Sequence, residues 1–90
     1  MTKALISVTG LDATGIIARV ATKLSEMNIN ILDITQTILG GYFTMMMVVD
    51  VSACAVPLAE LVSLMDEEGR KMNLSVRVQR EDIFEAMHRI

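Results

Sequence analysis

Disulfides, aromatic rings, prolines and basic clusters are all scarce in this 90-residue chain. It holds one cysteine, one proline, one tyrosine, two phenylalanines and no tryptophan. A lone Cys54 excludes an intrachain disulfide framework and points to a reducing, cytoplasmic setting. The one histidine is His88, far along the chain from Cys54, so Cys54 reads as a small apolar filler rather than a nucleophile. Eight basic residues against 11 acidic ones give a net charge of −3. The basic residues are scattered, without the stripe that direct nucleic-acid binding uses or the cluster that holds a protein to an anionic membrane. No apolar run approaches the ~20 residues of a membrane span. The N-terminal segment has one lysine and then a strand pattern, so no signal peptide is expected. No Ser/His/Asp, Cys/His or metal-ligand cluster with useful spacing appears, so the expectation is no catalytic residue, no metal and no cofactor.

What the chain has is aliphatic mass. Hydrophobic residues make up 52%, above the average soluble domain, and a subunit interface is the usual destination for the excess. The length is that of one domain. Residues 3–9 alternate, with Ala4, Ile6 and Val8 on one face, Lys3, Ser7 and Thr9 on the other, and Leu5 as an apolar exception. A turn bounded by Gly10 and Gly15 follows. Ile16, Ile17, Val20, Ala21, Leu24 and Met27 then recur at helical spacing. Asp12 or Thr14 is expected to cap that helix, and Asn28 to stop it. Residues 29–39 and 42–51 are strands joined by Gly40-Gly41, a hairpin signal. Phe43, Met45, Met47 and Val49 share one face of the second of these; Thr44, Met46 and Val48 share the other, which predicts a central strand. Pro57 opens a second helix, buried through Leu58, Leu61, Val62, Met65, Gly69 and Met72. Leu74, Val76 and Val78 point inward from a last strand. Right-handed crossovers and compactness select an α+β ferredoxin-like βαββαβ fold, a four-stranded antiparallel sheet with both helices on one face. Residues 1–80 form this domain. Residues 81–90 are expected to add a short amphipathic helix, with Ile83, Phe84, Met87 and Ile90 on one side, packed on the domain or its dimer mate.

The motif Gly10-x-Asp12-x-x-Gly15-Ile16 closes the first strand and opens the helix, and Asn28-Ile29-Asn30-Ile31 opens the second strand. In this order they resemble the ACT domain, a small-molecule sensing module attached to many enzymes of amino-acid metabolism. The resemblance runs over nearly the whole chain. It is closest to small stand-alone ACT proteins related to the glycine cleavage system transcriptional repressor, whose hairpin and tail are similar to Ile38-Leu39-Gly40, Tyr42-Phe43-Thr44-Met45 and Ile83-Phe84-Glu85-Ala86-Met87. It implies a ligand site at Gly10, Leu11, Asp12, Ala13, Thr14, Gly15 and Ile16, with Asn30 and Ile31 as a second wall, often across a dimer interface. Physical chemistry agrees with that role. Glycines let backbone N–H groups approach a ligand, and a helix N-terminus favours an anionic group such as an amino-acid carboxylate. The Asp12 carboxylate or the Asn30 oxygen can accept from the ammonium. Many ACT turns carry proline where this chain has Thr14. The same glycines and Asn30 also suit a purely structural turn and strand start.

Other residues read as structure. Met45, Met46 and Met47 alternate between faces and cannot converge on a soft metal. Asp66, Glu67 and Glu68 spread around a helix and suit solvation, and Gly69 is expected to loosen or end that helix. Residues 29–39, charged only at Asp33, form an apolar edge that needs management. Pairing it with its copy gives a homodimer with a continuous sheet. The expected function is regulatory: a small-molecule ligand, an amino acid in the first instance, binds at the seam, and an effector protein reads the result. The alternative is a ligand-free interaction subunit that uses the sheet edge and the C-terminal helix.

Overall fold

The computed structural model describes residues 2–11 and 15–80. The elements are β1 (Lys3–Leu11), α1 (Ile16–Glu26), β2 (Asn30–Leu39), β3 (Tyr42–Asp50), α2 (Leu58–Lys71) and β4 (Leu74–Arg80). The sheet order is β2-β3-β1-β4 and every neighbouring pair is antiparallel. This is the expected βαββαβ ferredoxin-like fold, with β3 central and β2 at an edge. Asp12, Ala13, Thr14 and the helix expected over residues 81–90 lie outside the described residues.

The core forms where the helix stripes meet one face of the sheet. Ala4, Ile6 and Val8 of β1 and Phe43, Met45, Met47 and Val49 of β3 are each at most 3% exposed. Val20 and Leu24 of α1 and Leu61 and Met65 of α2 close over them. Ile17 and Val62, expected in the helix stripes, instead stand at the stripe margins and are exposed. Cys54 packs against the same core as a partly buried filler.

Helix α1 does not start on a polar side chain. Its N-cap residue is Gly15, at φ 84°, with no side-chain capping bond, which corrects the expectation that Asp12 or Thr14 caps it. Both helices stop in the same way. Met27 and Met72 end them, and Asn28 (φ 60°) and Asn73 (φ 58°) follow in the left-handed region, which asparagine tolerates better than most residues. The Ile29 N–H donates to the Leu24 carbonyl and the Asn28 N–H to that of Ser25, satisfying carbonyls that the helix end would otherwise leave open. Helix α2 begins at Leu58, with Pro57 in the capping position just before it.

Gly69 is not a helix breaker. It lies two residues inside the end of α2, and a Cβ there would sit 2.7 Å from Val76 Cγ2 and 2.9 Å from the Leu74 carbonyl oxygen. Its missing side chain lets α2 press onto β4. Gly40 and Gly41 both have positive φ, the conformation of a tight primed hairpin turn.

Candidate functional site

The turn implicated by sequence begins inside the sheet. Gly10 and Leu11 are the last two residues of β1, paired with Phe43 and Tyr42 of β3. Gly10 faces the core, and a Cβ on it would come within 2.5 Å of Leu74 Cδ2 and 3.0 Å of the Asn73 carbonyl oxygen, so a larger residue there would have to displace both, a packing reason for glycine. Gly15 has a different reason. Its φ is left-handed, and among the described residues nothing stands within 4 Å of where its Cβ would be. The first turn of α1 carries no acidic residue. The N–H groups of a helix's first turn have no partners inside the helix, which is the electrostatic setting that suits an anion. Ile16 is a core residue, 4% exposed; it can serve a ligand through its backbone, not its side chain.

Asn30 lies elsewhere. Strand β2 is antiparallel to β3, with Asn30 opposite Asp50 and Leu39 opposite Tyr42. Asp50 is itself opposite Lys3, and Tyr42 opposite Leu11. Within one chain Asn30 therefore sits at the end of the sheet where β1 begins, whereas Gly10 and Leu11 sit where β1 ends. Eight residue steps along β1, from Lys3 to Leu11, separate the two ends, about 27 Å. Ile31 packs against the core beside Val49. A single copy brings Gly10, Leu11, Gly15 and Ile16 together and keeps Asn30 and Ile31 apart from them.

The Asn30 end has an ordered polar network of its own. The Ser52 N–H and Oγ–H both donate to Asp50 Oδ1, at 2.9 and 2.6 Å. The Thr2 N–H donates to Ser52 Oγ at 2.8 Å. The Ser52 hydroxyl and then its N–H hold the Asp50 carboxyl below its ordinary pKa. No sequence pattern pointed to this latch; an Asp-x-Ser after a strand is its only local sign.

Strand β2 is exposed at every residue from Leu32 to Leu39. A bulge between Ile31 and Asp33 leaves Leu32 unpaired in the register. Beyond it Ile34 and Ile38 point toward the helix layer, yet remain 40% and 59% exposed. The helices do not reach this far across the sheet.

Two shallow grooves lie away from the turn. One, of about 330 Å³, separates α1 from α2 and is lined by Ala18, Arg19, Thr22, Lys23, Glu26 and Glu68; Glu68 already pairs with Arg19 at 3.4 Å and with Lys71 at 3.7 Å. The other, of about 370 Å³, follows the outer side of β4 against α2. Among the described residues no three histidine, cysteine or carboxylate side chains converge as metal ligands. No helix among them is long and apolar enough to cross a membrane.

Comparison with known proteins agrees with the fold. A UPF0237 protein of Bifidobacterium longum is 49% identical over 90 residues and covers all of both chains. The solved ACT domain protein from Streptococcus pneumoniae is 40% identical, with a TM-score of 0.83 over 93% of this chain and 94% of that one. A glycine cleavage system transcriptional repressor structure shares the fold at 21% identity, with a TM-score of 0.74 over 88% of this chain and 45% of that one. A family model described as the ACT domain matches residues 2–79, and with these relatives along its whole length the chain belongs to the ACT domain family.

Proposed function

We propose that this protein is a non-catalytic regulator that binds an amino acid or similar metabolite at a homodimer interface and passes the signal to a partner protein. The observation that carries the reading is the exposure of β2 along its outer eight residues. An apolar edge strand of that length is a template for pairing. Antiparallel pairing of β2 with its copy would set Asn30 of one subunit at the Leu39 end of the other, the end at which β1 runs into its turn. Three strand spacings, about 14 Å, would then separate Asn30 from β1 of the other subunit. The ligand carboxylate would lie at the first turn of α1 and its ammonium at Asp12 or at Asn30 of the second copy. Occupation of the seam favours one dimer geometry, and an effector protein reads that geometry.

The test is calorimetry and thermal-shift screening against the common amino acids, combined with sedimentation. Binding of one amino acid, weakened at least tenfold by both Asp12→Ala and Asn30→Ala, is the expected result. Binding untouched by either substitution removes the site assignment.

A second reading has its own support. Gly10 is closely packed against Leu74 and the Asn73 carbonyl oxygen, a structural reason for glycine that needs no ligand. In that reading the turn is structural and β2 docks onto a different protein, with residues 81–90 assisting. A blank ligand screen together with a stable co-purifying partner favours it.

A further inference from the structure

The hairpin fixes which backbone groups of β2 are free. Leu39 and Tyr42 flank the Gly40-Gly41 turn and are register partners, so they exchange both backbone hydrogen bonds, as the residues flanking a two-residue hairpin turn do. The N–H and C=O of a strand residue point to one side of the strand, and that side alternates from residue to residue. Leu39, Thr37, Thr35 and Asp33 therefore turn their backbone groups toward β3, whereas Ile38, Gln36 and Ile34 turn theirs outward. A side-chain bond agrees. The Ile34 N–H donates to Asp33 Oδ1 at 2.9 Å, a bond made on the side that β3 does not occupy. The bulge between Ile31 and Asp33 bounds this regular edge at one end, and the turn at Gly40 bounds it at the other.

We infer that β2 pairs with its copy in a single antiparallel register, Gln36 opposite Gln36, and that the Asp33 carboxylate competes with this pairing for the Ile34 N–H. This register rests on the homodimer proposed above. Directly opposite residues of an antiparallel pair share a face of the sheet, so the twofold axis falls level with a residue and never midway between two. Level with Gln36, every outward residue finds an outward partner: Ile34 meets Ile38, Gln36 meets Gln36 and Ile38 meets Ile34. Level with Thr35, Ile34 meets Gln36 and Ile38 runs onto the bulge at Leu32 of the second copy. Level with Thr37, Ile38 meets Gln36 and Ile34 runs onto the turn at Gly40. Each displaced register forfeits backbone bonds, the main source of affinity when strands add edge to edge.

The side chains select the same axis. Ile34, Gln36 and Ile38 are paired with the core-facing Met47, Met45 and Phe43, so they stand on the helix side of the seam. There the exposed Ile34 and Ile38 lie against each other's copies, on either side of two glutamine amides that can donate to each other. On the opposite side Thr35 lies against Thr37, a favourable hydroxyl pair. Asp33 lies against Leu39, so the two Asp33 carboxylates stand about 20 Å apart along the seam. Every shift toward the bulge brings them closer, and like charges across paired strands are destabilising. In the single chain the same carboxylate closes part of the edge, since a charged side chain beside an unpaired edge group discourages pairing. For Ile34 to bond the Ile38 carbonyl of the second copy, its N–H must leave Asp33.

Cysteine cross-linking of the full chain in a Cys54→Ser background reads the register. A disulfide needs Cα atoms about 4.4–6.8 Å apart. Directly opposite residues whose backbone groups point away from each other are about 4.5 Å apart, and residues offset by two are about 7–8 Å apart. An equimolar mixture of Thr35→Cys and Thr37→Cys is expected to cross-link at least tenfold faster under mild oxidation than either variant alone. Fast cross-linking of Thr35→Cys alone puts the axis level with Thr35 and overturns the register, as fast cross-linking of Thr37→Cys alone does for its own position; in both cases pairing through β2 stands. No cross-link in the mixture also overturns the register, and sedimentation then decides the dimer separately. Asp33→Ala is expected to tighten the dimer at least threefold by sedimentation equilibrium, and Asp33→Asn, which keeps an acceptor oxygen, to gain less. Unchanged or weaker association in Asp33→Ala, or an equal gain in both variants, overturns the competition for the Ile34 N–H.

Discussion

Gly69 has the least room of this chain's glycines against a neighbouring backbone, 2.9 Å from a Cβ to the Leu74 carbonyl oxygen. At Gly69 an added methyl gains about 1 kcal/mol of helix propensity. It also presses on a backbone carbonyl that cannot rotate away, and overpacking of this kind costs about 1–3 kcal/mol. Gly69→Ala is therefore expected to lose up to about 2 kcal/mol of stability by urea denaturation, and a gain in stability would refute the close-packing account. Gly69→Ala combined with Val76→Ala relieves the side-chain contact at 2.7 Å but not the carbonyl contact at 2.9 Å, so recovery should be incomplete. Asp50 gives a pH test at the same scale. Its folded pKa lies below its ordinary value of 3.8 because Ser52 donates to its carboxylate. The stabilisation is fully present above that ordinary value and is lost as the pH falls through the lower, folded one. Ser52→Ala should move the Asp50 carboxyl resonance midpoint upward in an NMR titration. The stability difference between variant and parent should shrink as the solution is acidified through that window.

At the scale of elements, the helix endings show how a local residue decides a boundary. Left-handed backbone costs an ordinary L-residue about 1–2 kcal/mol, and glycine escapes that cost. Asn28→Ala and Asn73→Ala should each lower stability by about 1 kcal/mol, and Asn28→Gly should be neutral or better, by thermal denaturation. Element order, the hairpin and the buried face of β3 were legible in the sequence, because alternation and helical spacing report directly on which side is dry. The role of Gly69 was not, since a glycine near a helix end looks the same whether it terminates the helix or admits a neighbouring strand. The cap of α1 was misread for a related reason. Asp12 and Thr14 have the favoured capping side chains, yet the left-handed Gly15 stands between them and the first helical residue. The separation of Asn30 from the turn was also hidden. Sequence motifs record which residues a family uses, but only strand register shows that one copy holds them at opposite ends of a sheet.

For the whole molecule, surplus apolar surface and few charges define its behaviour. Ile34→Lys or Ile38→Lys adds charge where the side chain is already exposed, so the monomer's stability should change by no more than about 0.5 kcal/mol. Pairing through β2 should nevertheless weaken, and a concentration series in light scattering checks it. Unaltered β2 pairing with either lysine would move the interface elsewhere.

The difference between the two sheet edges has a consequence for growth. β2 has ten residues, five of them Ile or Leu, and Asp33 as its one charge; β4 has seven, with Arg77 at its middle. Once β2 has joined its own copy about a twofold axis, the long edge is consumed on both chains. What remains at either end of the enlarged sheet is the short β4, whose central Arg77 is set against like charge if two such edges meet. An isologous contact of this kind closes on itself, whereas a head-to-tail match between β2 and β4 would propagate into a filament. The unequal edges thus steer the chain toward a finite particle and away from a fibre.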